Sequence, residues 1–292
     1  MDMLLAAMAP EPIQPSTRAA TPPDMTEIAR LEERRLASAV FALADHSEPF
    51  GGGVLARGAP GTWINACFGA GLDAPIGAAE LDHLIDVHSR AGVEPRIELA
   101  PFVHESTLAA LADARFVVRG FDNILVRTID ASEDGARCTL PEGVAIEVVD
   151  RSNPAEVDRF VRLSLAGFAV ASTDVAEPSL ESMRRAMQIP GTTAIVAQCD
   201  GEPVGAAAME VCGEVACLFG ASVAPEARGR GIQRAMLQWR LRIAAENGVR
   251  FVTIGSRPGE TTERNVRRLG FTLAYMRTTL VRPGPGLAPI VE

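Results

Sequence analysis

Between Val223 and Gly248 the chain reads VAPEARGRGIQRAMLQWRLRIAAENG. Pro225 ends a run of strand character, and Gly229 and Gly231 strip side chains from the turn that follows. Ile232, Met236, Trp239 and Ile243 then recur at helical spacing on one face. A glycine-rich turn opening a helix aims several free peptide N–H groups at one point, backed by the positive end of the helix dipole. Such a site takes an anion, above all a phosphate or pyrophosphate. Arg228 and Arg230 add positive charge there, in a chain whose net charge is −9.

Other chemistries find less support. No Lys-Ser/Thr follows the glycines, so the turn lacks the groups a nucleotide hydrolase uses on phosphate and magnesium. The acidic balance argues against a nucleic-acid surface, and RGRG occurs once without interleaved aromatics, which speaks against RNA. The five cysteines (Cys67, Cys138, Cys199, Cys212, Cys217) have no metal-ligand spacing. They read as reduced thiols, with Cys212 and Cys217 as small core residues. His46, His83, His88 and His104 all lie in the first half. His83 and His88 are five apart, so they do not share a helix face as a ligand pair. Surface positions are expected for them, and no metal is expected anywhere. The opening MDMLLAAMAP lacks a basic leading region and makes a poor signal peptide. No apolar run approaches the ~20 residues of a membrane span. A cytoplasmic protein without membrane contact is the expectation.

The elements that must position the turn come from periodicity. With 292 residues, 47% of them hydrophobic, the chain can fill one large or two small domains. Residues 1–23 carry Pro10, Pro12, Pro15, Pro22 and Pro23 and read as a mobile arm. Asp24 with Glu27 signals a helix start, with Ile28, Leu31, Leu36, Val40 and Leu43 inward to about Asp45. Strand-like runs follow from Val54 and from Thr62. A helix over about 78–91, the strand RIELA, a helix over about 106–114 and the strand FDNILVRTI complete a first half over 24–130. Residues 131–142 are polar and aperiodic, a linker. The second half, 143–283, opens with the strand AIEVV and two helices near 155–167 and 180–188. Strands TAIVAQ and PVGAAAMEV then flank the turn Cys199–Glu202, and EVACLFGASV leads into the Arg-Gly turn and its helix. Strand RFVTIG, a short helix near 262–269 and strand FTLAYMRTTLVR follow, with residues 284–292 as a tail.

The two halves echo each other. Gly92 to Phe116 is 24 steps and Gly248 to Phe271 is 23, while Phe116 to Arg127 and Phe271 to Arg282 are both 11. Such matching spacing suggests one domain type used twice. Where the second half has RGRGIQ the first has IGAAEL, with no arginine and one glycine. The first copy is therefore expected to keep the fold and lack the anion cradle.

The run from Arg228 to Gln233 resembles the acetyl-CoA-binding motif of the GNAT superfamily of N-acetyltransferases, [Q/R]-x-x-G-x-[G/A]. Arg228 and Gly231 fit, and Gln233 departs at the sixth position. The strand ending Val223-Ala224-Pro225-Glu226 and the later NVRRLGF, Asn265 to Phe271, fit as well, and Pro258 to Asn265 resembles a branch that often carries two such domains. The resemblance implies an α/β fold, a mixed sheet built from two GNAT-like domains in tandem. It implies acetyl-CoA as co-substrate, held by the cradle of Arg228, Gly229, Arg230, Gly231, Ile232 and Gln233. The pantetheine arm would lie along Gly220, Ala221, Ser222 and Val223, where this strand parts from its neighbour, with Asn265 facing the arm. The first copy is then expected to pack the sheet edge and wall the acceptor site.

The implied reaction moves an acetyl group to a primary amine of a small molecule by direct attack in a ternary complex. An amine must lose a proton to attack. Relatives commonly use acidic residues near the central strands, so Glu210 and Glu214 are candidate bases, and exposed hairpin-end charges otherwise. Cys217 stands where relatives often have an acid. The family's usual acid, a Tyr in the last helix, is replaced near its place by Val266. Tyr275 is then either the acid or a buried structural tyrosine. Asp174 and Glu177 hold a cationic acceptor or line a solvated loop. The missing helix tyrosine keeps an alternative open, an acyl-CoA-binding sensor or partner module without turnover.

Overall fold

The computed structural model describes residues 24–129, 140–166 and 177–289. The expected arm, most of the linker and Asp174 lie outside them. The first helix, α1, spans Met25–Leu43; its N-cap Asp24 accepts from the Thr26 N–H at 2.9 Å. Ile28, Ala29, Ala37, Val40 and Leu43 face inward, but so do Glu32, Glu33 and Arg35, which were not among the expected inward residues. Strands β1 (His46–Phe50), β2 (Gly53–Arg57) and β3 (Cys67–Phe68) follow. The strand expected from Thr62 shrinks to Cys67–Phe68, because the Asn65 side chain ties a local turn. Its amide donates to Ala59 O at 2.8 Å and its oxygen accepts from the Gly58 N–H at 3.0 Å.

Helix α2 (Ala78–Arg90), β4 (Arg96–Leu99), α3 (Glu105–Asp113) and β5 (Val117–Thr128) complete the first half. The second comprises β6 (Val144–Val148), α4 (Pro154–Ala166), α5 (Glu177–Gln188), β7 (Thr192–Cys199), β8 (Glu202–Cys212) and β9 (Val215–Val223). A 3-10 turn (Pro225–Ala227), α6 (Ile232–Glu246), β10 (Phe251–Ser256), α7 (Thr261–Arg267) and β11 (Thr272–Val281) follow. His88 is a correction: it is buried, its Nε2 lies 3.1 Å from Ala56 O, and burial pushes its pKa down to about 4, so it is neutral.

All the strands join one sheet in the order β1-β2-β3-β4-β11-β5-β10-β9-β8-β7-β6. The fold is a mixed α/β sheet of two like halves, and the halves trade their last strands. Strand β10 of the second half pairs antiparallel with β5 of the first, and β4 of the first half pairs antiparallel with β11 of the second. Strands β5 and β11 pair with each other, with Asn123 opposite Met276 and Phe121 opposite Thr278. Because these positions correspond at the constant offset seen in the sequence, a local pseudo-twofold axis passes through the Asp122–Arg277 pair. Outward from that axis each half repeats one parallel pair, β3 with β4 and β9 with β10. Loop bonds repeat too: Val93 N–H to His88 O (3.1 Å) and Val249 N–H to Ala244 O (3.3 Å), then Phe116 N–H to Leu111 O (3.0 Å) and Phe271 N–H to Val266 O (3.3 Å).

The expectation that the first copy packs the sheet edge is therefore corrected. The halves merge through the middle of the sheet, and its edges are β1 and β6. One face of the second half's sheet, with Met209, Leu218, Val252 and Ile254, packs on α6. The opposite face, with Ala206 and Ala208, packs on α4 and α5, and α1 lies across β9 and β11 on that side. Without β5, the β10 edge loses a whole antiparallel partner, and exposed strand edges aggregate. Residues 140–292 expressed alone are expected to be insoluble or to lack a cooperative thermal transition. Co-expression with residues 1–139 restores a soluble complex that unfolds in one transition by circular dichroism.

Candidate active site

The anion cradle is built by three local rules. Pro225 opens the 3-10 turn and stops β9. The Arg228 Nε donates back to Val223 O at 3.1 Å, pinning the turn to the strand end. Gly231 then caps α6 at φ 79°, a left-handed conformation that costs an L side chain roughly 1–2 kcal/mol. No side chain caps α6 and no acid stands in its first turn, an arrangement of the kind that suits an anion. Arg240, fully buried on α6, donates to Ala208 O at 2.8 Å and fixes the helix on β8.

The matching place in the first half is closed. There the Gly77 N–H donates to the Glu80 carboxylate at 2.7 Å, and the Ile76 N–H donates to Thr107 Oγ1 at 2.9 Å. A carboxylate of the chain itself thus sits at the start of α2, and an incoming phosphate meets both a filled site and a like charge.

Beside the cradle the sheet opens. Strands β9 and β10 pair only over Val215–Leu218 and Phe251–Ile254. Beyond that, β9 stays with β8 as far as Val223, while β10 stays with β5 through Gly255 and Ser256. A V-shaped gap results between Phe219–Val223 on one side and Gly255–Ser256 on the other. Gly220 bends β9 at φ 60°, and a bulge interrupts the β8–β9 register there. Its carbonyl accepts from Ser164 Oγ of α4 at 2.7 Å, and the Ser222 hydroxyl donates to Leu163 O, so α4 holds the splayed edge. A Cβ on Gly220 meets Ser164 Oγ at 3.0 Å. Across the gap Gly255 is exposed, and a Cβ there meets only Ile124 at 3.8 Å, leaving open floor.

The structure brings Asn265 to the cradle: its Nδ2 donates to Gln233 Oε1 at 2.9 Å. The departing Gln233 side chain is thereby turned to α7, and its N–H remains part of the helix start. Glu210 lies opposite Cys217, two residues below the start of the gap, on the face covered by α1. It is buried and accepts from Arg35 Nη1 at 2.6 Å. Burial raises its pKa, with the Glu32 charge adding and Arg35 opposing, and the net direction is above the ordinary carboxyl value. Burial pushes the Cys217 thiol up to about 12, so it stays protonated.

Two expected catalytic residues are not brought to the gap. Glu214 stands at the other end of β9, five positions from Phe219, about 16 Å along a strand, and pairs with Arg250 at 2.6 Å. Tyr275 is buried on β11, two strands from β10, and its hydroxyl donates to Glu33 Oε1 at 2.6 Å, with Phe102 edge-on. Its proton is committed to α1, the structural outcome. Glu177 pairs with Arg184 at 2.6 Å on the exposed flank of α5.

Glu32 and Arg35 reach this site without having been expected. Arg35 grips Glu32 at 3.0 and 2.8 Å, and Glu32 also accepts from Thr253 Oγ1 of β10 at 2.8 Å. Burial pushes Glu32 up, but Arg35 and Arg277 outweigh it and hold it below the ordinary value. The signal was present in the sequence: Ile28, Glu32, Arg35 and Ala39 form one helical stripe, so two charges stand on the inward face.

Residues 165–271 match the acetyltransferase (GNAT) family. The chain carries a GNAT-family acetyltransferase domain. Among solved structures, a GCN5-related N-acetyltransferase from Kribbella flavida aligns with a TM-score of 0.65 at 18% identity, covering 91% of this chain and 98% of that one. A tandem GNAT protein from the clavulanic acid biosynthesis pathway aligns at 0.53 and 19% identity, covering 97% and 92%. At these identities the likeness is one of fold, and it extends over both halves. Comparison with curated proteins gives no match. Among the described residues no helix is long and apolar enough to cross a membrane, and no group of three or more His, Cys, Asp or Glu is placed to hold a metal ion.

A Gly231→Glu exchange fills and charges the cradle and strains the αL cap. Coenzyme A affinity by calorimetry is expected to fall at least ~100-fold, since the anion site is lost. Glu80→Ala in the first half leaves that affinity unchanged.

Proposed function

We propose that the second half binds acetyl-CoA and transfers its acetyl group to a primary amine of a small molecule in a ternary complex, in the cytoplasm. The observation that carries this reading is the uncapped N-terminus of α6 beside a sheet that parts immediately before it. The N–H groups of Arg228 to Gln233 suit a pyrophosphate, and the edge Gly220–Val223 suits an extended, amide-bearing arm. When bound, acetyl-CoA supplies a thioester carbonyl and a thiolate leaving group. A β9 N–H at the gap would polarise that carbonyl oxygen and hold its developing charge. Glu210, through a water, would take the proton that the ammonium form must lose, and the amine nitrogen then forms the new bond as the C–S bond breaks. Water can return a proton to the sulfur, because Tyr275 is engaged by Glu33. The acceptor would enter over Gly255, on the face where α1, α4 and α5 meet the sheet. The first half, with Glu80 on its own helix start, would bind no acyl-CoA.

The sealed position of Glu210 and the committed Tyr275 are the observations that favour the second reading, an acyl-CoA-binding sensor without turnover. Thiol release from acetyl-CoA with spermidine, L-lysine and kanamycin separates the two. Release with any of them supports transfer. Coenzyme A binding with no release from all three, at saturating acceptor, supports the sensor.

Two expected outcomes refine the transfer reading. Glu210→Gln lowers kcat by about 100-fold or more, the usual range for a general base. Because the carboxyl must be ionised and its pKa is raised, kcat/KM falls as pH drops through a value above the ordinary carboxyl range. Tyr275→Phe leaves kcat within about twofold and lowers the thermal midpoint, since a buried Glu33 oxygen loses a donor.

A further inference from the structure

Helix α1 belongs by sequence to the half without a cradle, yet its charged stripe faces the other half. Arg35 holds Glu32 with Nε and Nη2 and Glu210 with Nη1. The three side chains are all but sealed from water, at 4 to 7% exposure. Glu32 is in turn fixed to β10 through Thr253. The guanidinium therefore ties β10, by way of Glu32, to β8, by direct contact with Glu210, across β9, which lies between them and forms the other edge of the gap. A buried ion pair is weak evidence for stability, because desolvation offsets the attraction, so this arrangement calls for another reason.

We propose that Arg35, carried by the first half, is a positioning residue for the second half's reaction: it clamps the Glu210 carboxylate beside the gap and, with Glu32, sets Glu210 as the proton acceptor of the pair. This rests on the reading of Glu210 as the base. Two carboxylates share one guanidinium. Arg35 makes two bonds to Glu32 and one to Glu210, so the doubly held Glu32 keeps its charge and the singly held Glu210 is left to take up a proton. The directions of their pKa shifts, Glu32 down and Glu210 up, agree with this split. Paired groups driven apart in this way divide acid and base roles. The other groups facing Glu210 are Cys212 on its own strand and Cys217 on β9, both thiols pushed upward by burial, while Arg277 on β11 acts on Glu32. Thr192, opposite Glu210 on β7, donates its hydroxyl to Ala186 O and takes no part. The first half thus contributes to catalysis through a charged clamp, although its own cradle is shut.

The test follows the Glu210 carboxyl directly by 13C NMR in the full chain labelled with [5-13C]glutamate, the Glu210 signal being the one lost in Glu210→Gln. Glu32→Gln removes a like charge and leaves the Arg35–Glu210 pair, so the Glu210 midpoint falls to lower pH. Arg35→Met removes the opposing cation, so the midpoint rises. Since Arg35→Met leaves two buried carboxylates unmatched and can fail to fold, Arg35→Lys serves beside it: it keeps the charge and loses the fork. In Arg35→Lys, kcat for thiol release falls roughly 10- to 100-fold from misplacement of the base, while coenzyme A affinity is unchanged. The acidic limb of kcat/KM moves with the NMR midpoint in each variant. A Glu210 midpoint that stays put in folded Glu32→Gln, or a kcat left intact in folded Arg35→Lys, overturns the clamp. A midpoint that moves as expected while the kinetic limb stays fixed overturns instead the assignment of Glu210 as base, and with it the catalytic role of Arg35.

Discussion

The antiparallel pairing of β5 with β11 is the constraint on which the rest of the molecule depends. Each of these strands ends one half in sequence and completes the other in space, so neither half has a whole sheet without its partner. The consequence reaches the candidate site. Strand β10 can leave β9 at Ile254 and stay extended because β5 holds its other edge through Gly255 and Ser256. Backbone donors need partners when buried, and the exchange supplies them on one side of β10 while freeing the other. The gap in the second half is held open by a strand of the first.

The same exchange brings α1 over the second half. A helix whose sequence neighbours are β1 and β2 reaches β9, β10 and β11, and its acids and arginine meet Glu210, Thr253, Tyr275 and Arg277 there. Arg185 of α5 returns the contact, donating to Asp45 just after α1 at 2.6 Å. The two halves are alike in fold and unlike in chemistry. The helix that follows the outer strand of each parallel pair begins with Gly231 and no acid in one half, and with the Glu80 carboxylate folded onto the Gly77 N–H in the other.

Much of this was legible in residue order. The Arg-Gly turn, its helix, the strand after it and the 11-step match from Phe116 to Arg127 and Phe271 to Arg282 all rest on local signals, namely breakers, caps and periodicity. Local signals do not tell which strands pair. Nothing in FDNILVR says that Ile124 lies opposite Gly255 of the other half, so the first half was expected at the sheet edge. The clamp was half visible, since Glu32 and Arg35 stand on the apolar stripe of α1. Their purpose depends on Glu210, which is 175 residues from Arg35 along the chain and is brought near only by the exchange. Glu214 and Glu210 look equivalent as hairpin-end acids, and only the register of β8 on β9 separates them, sending one to Arg250 at the rim and the other beneath α1.

The central claim is that a chain containing this fold twice has a single acyl-CoA site, at the start of α6. A crystal structure of the full chain grown with excess coenzyme A tests it most directly. The account predicts one coenzyme A per chain, its pyrophosphate on the N–H groups of Arg228 to Gln233 and its arm in the gap beside Gly220–Val223. Coenzyme A at the start of α2, displacing the Glu80 carboxylate, or an empty α6 terminus beside a bound molecule elsewhere, would contradict it.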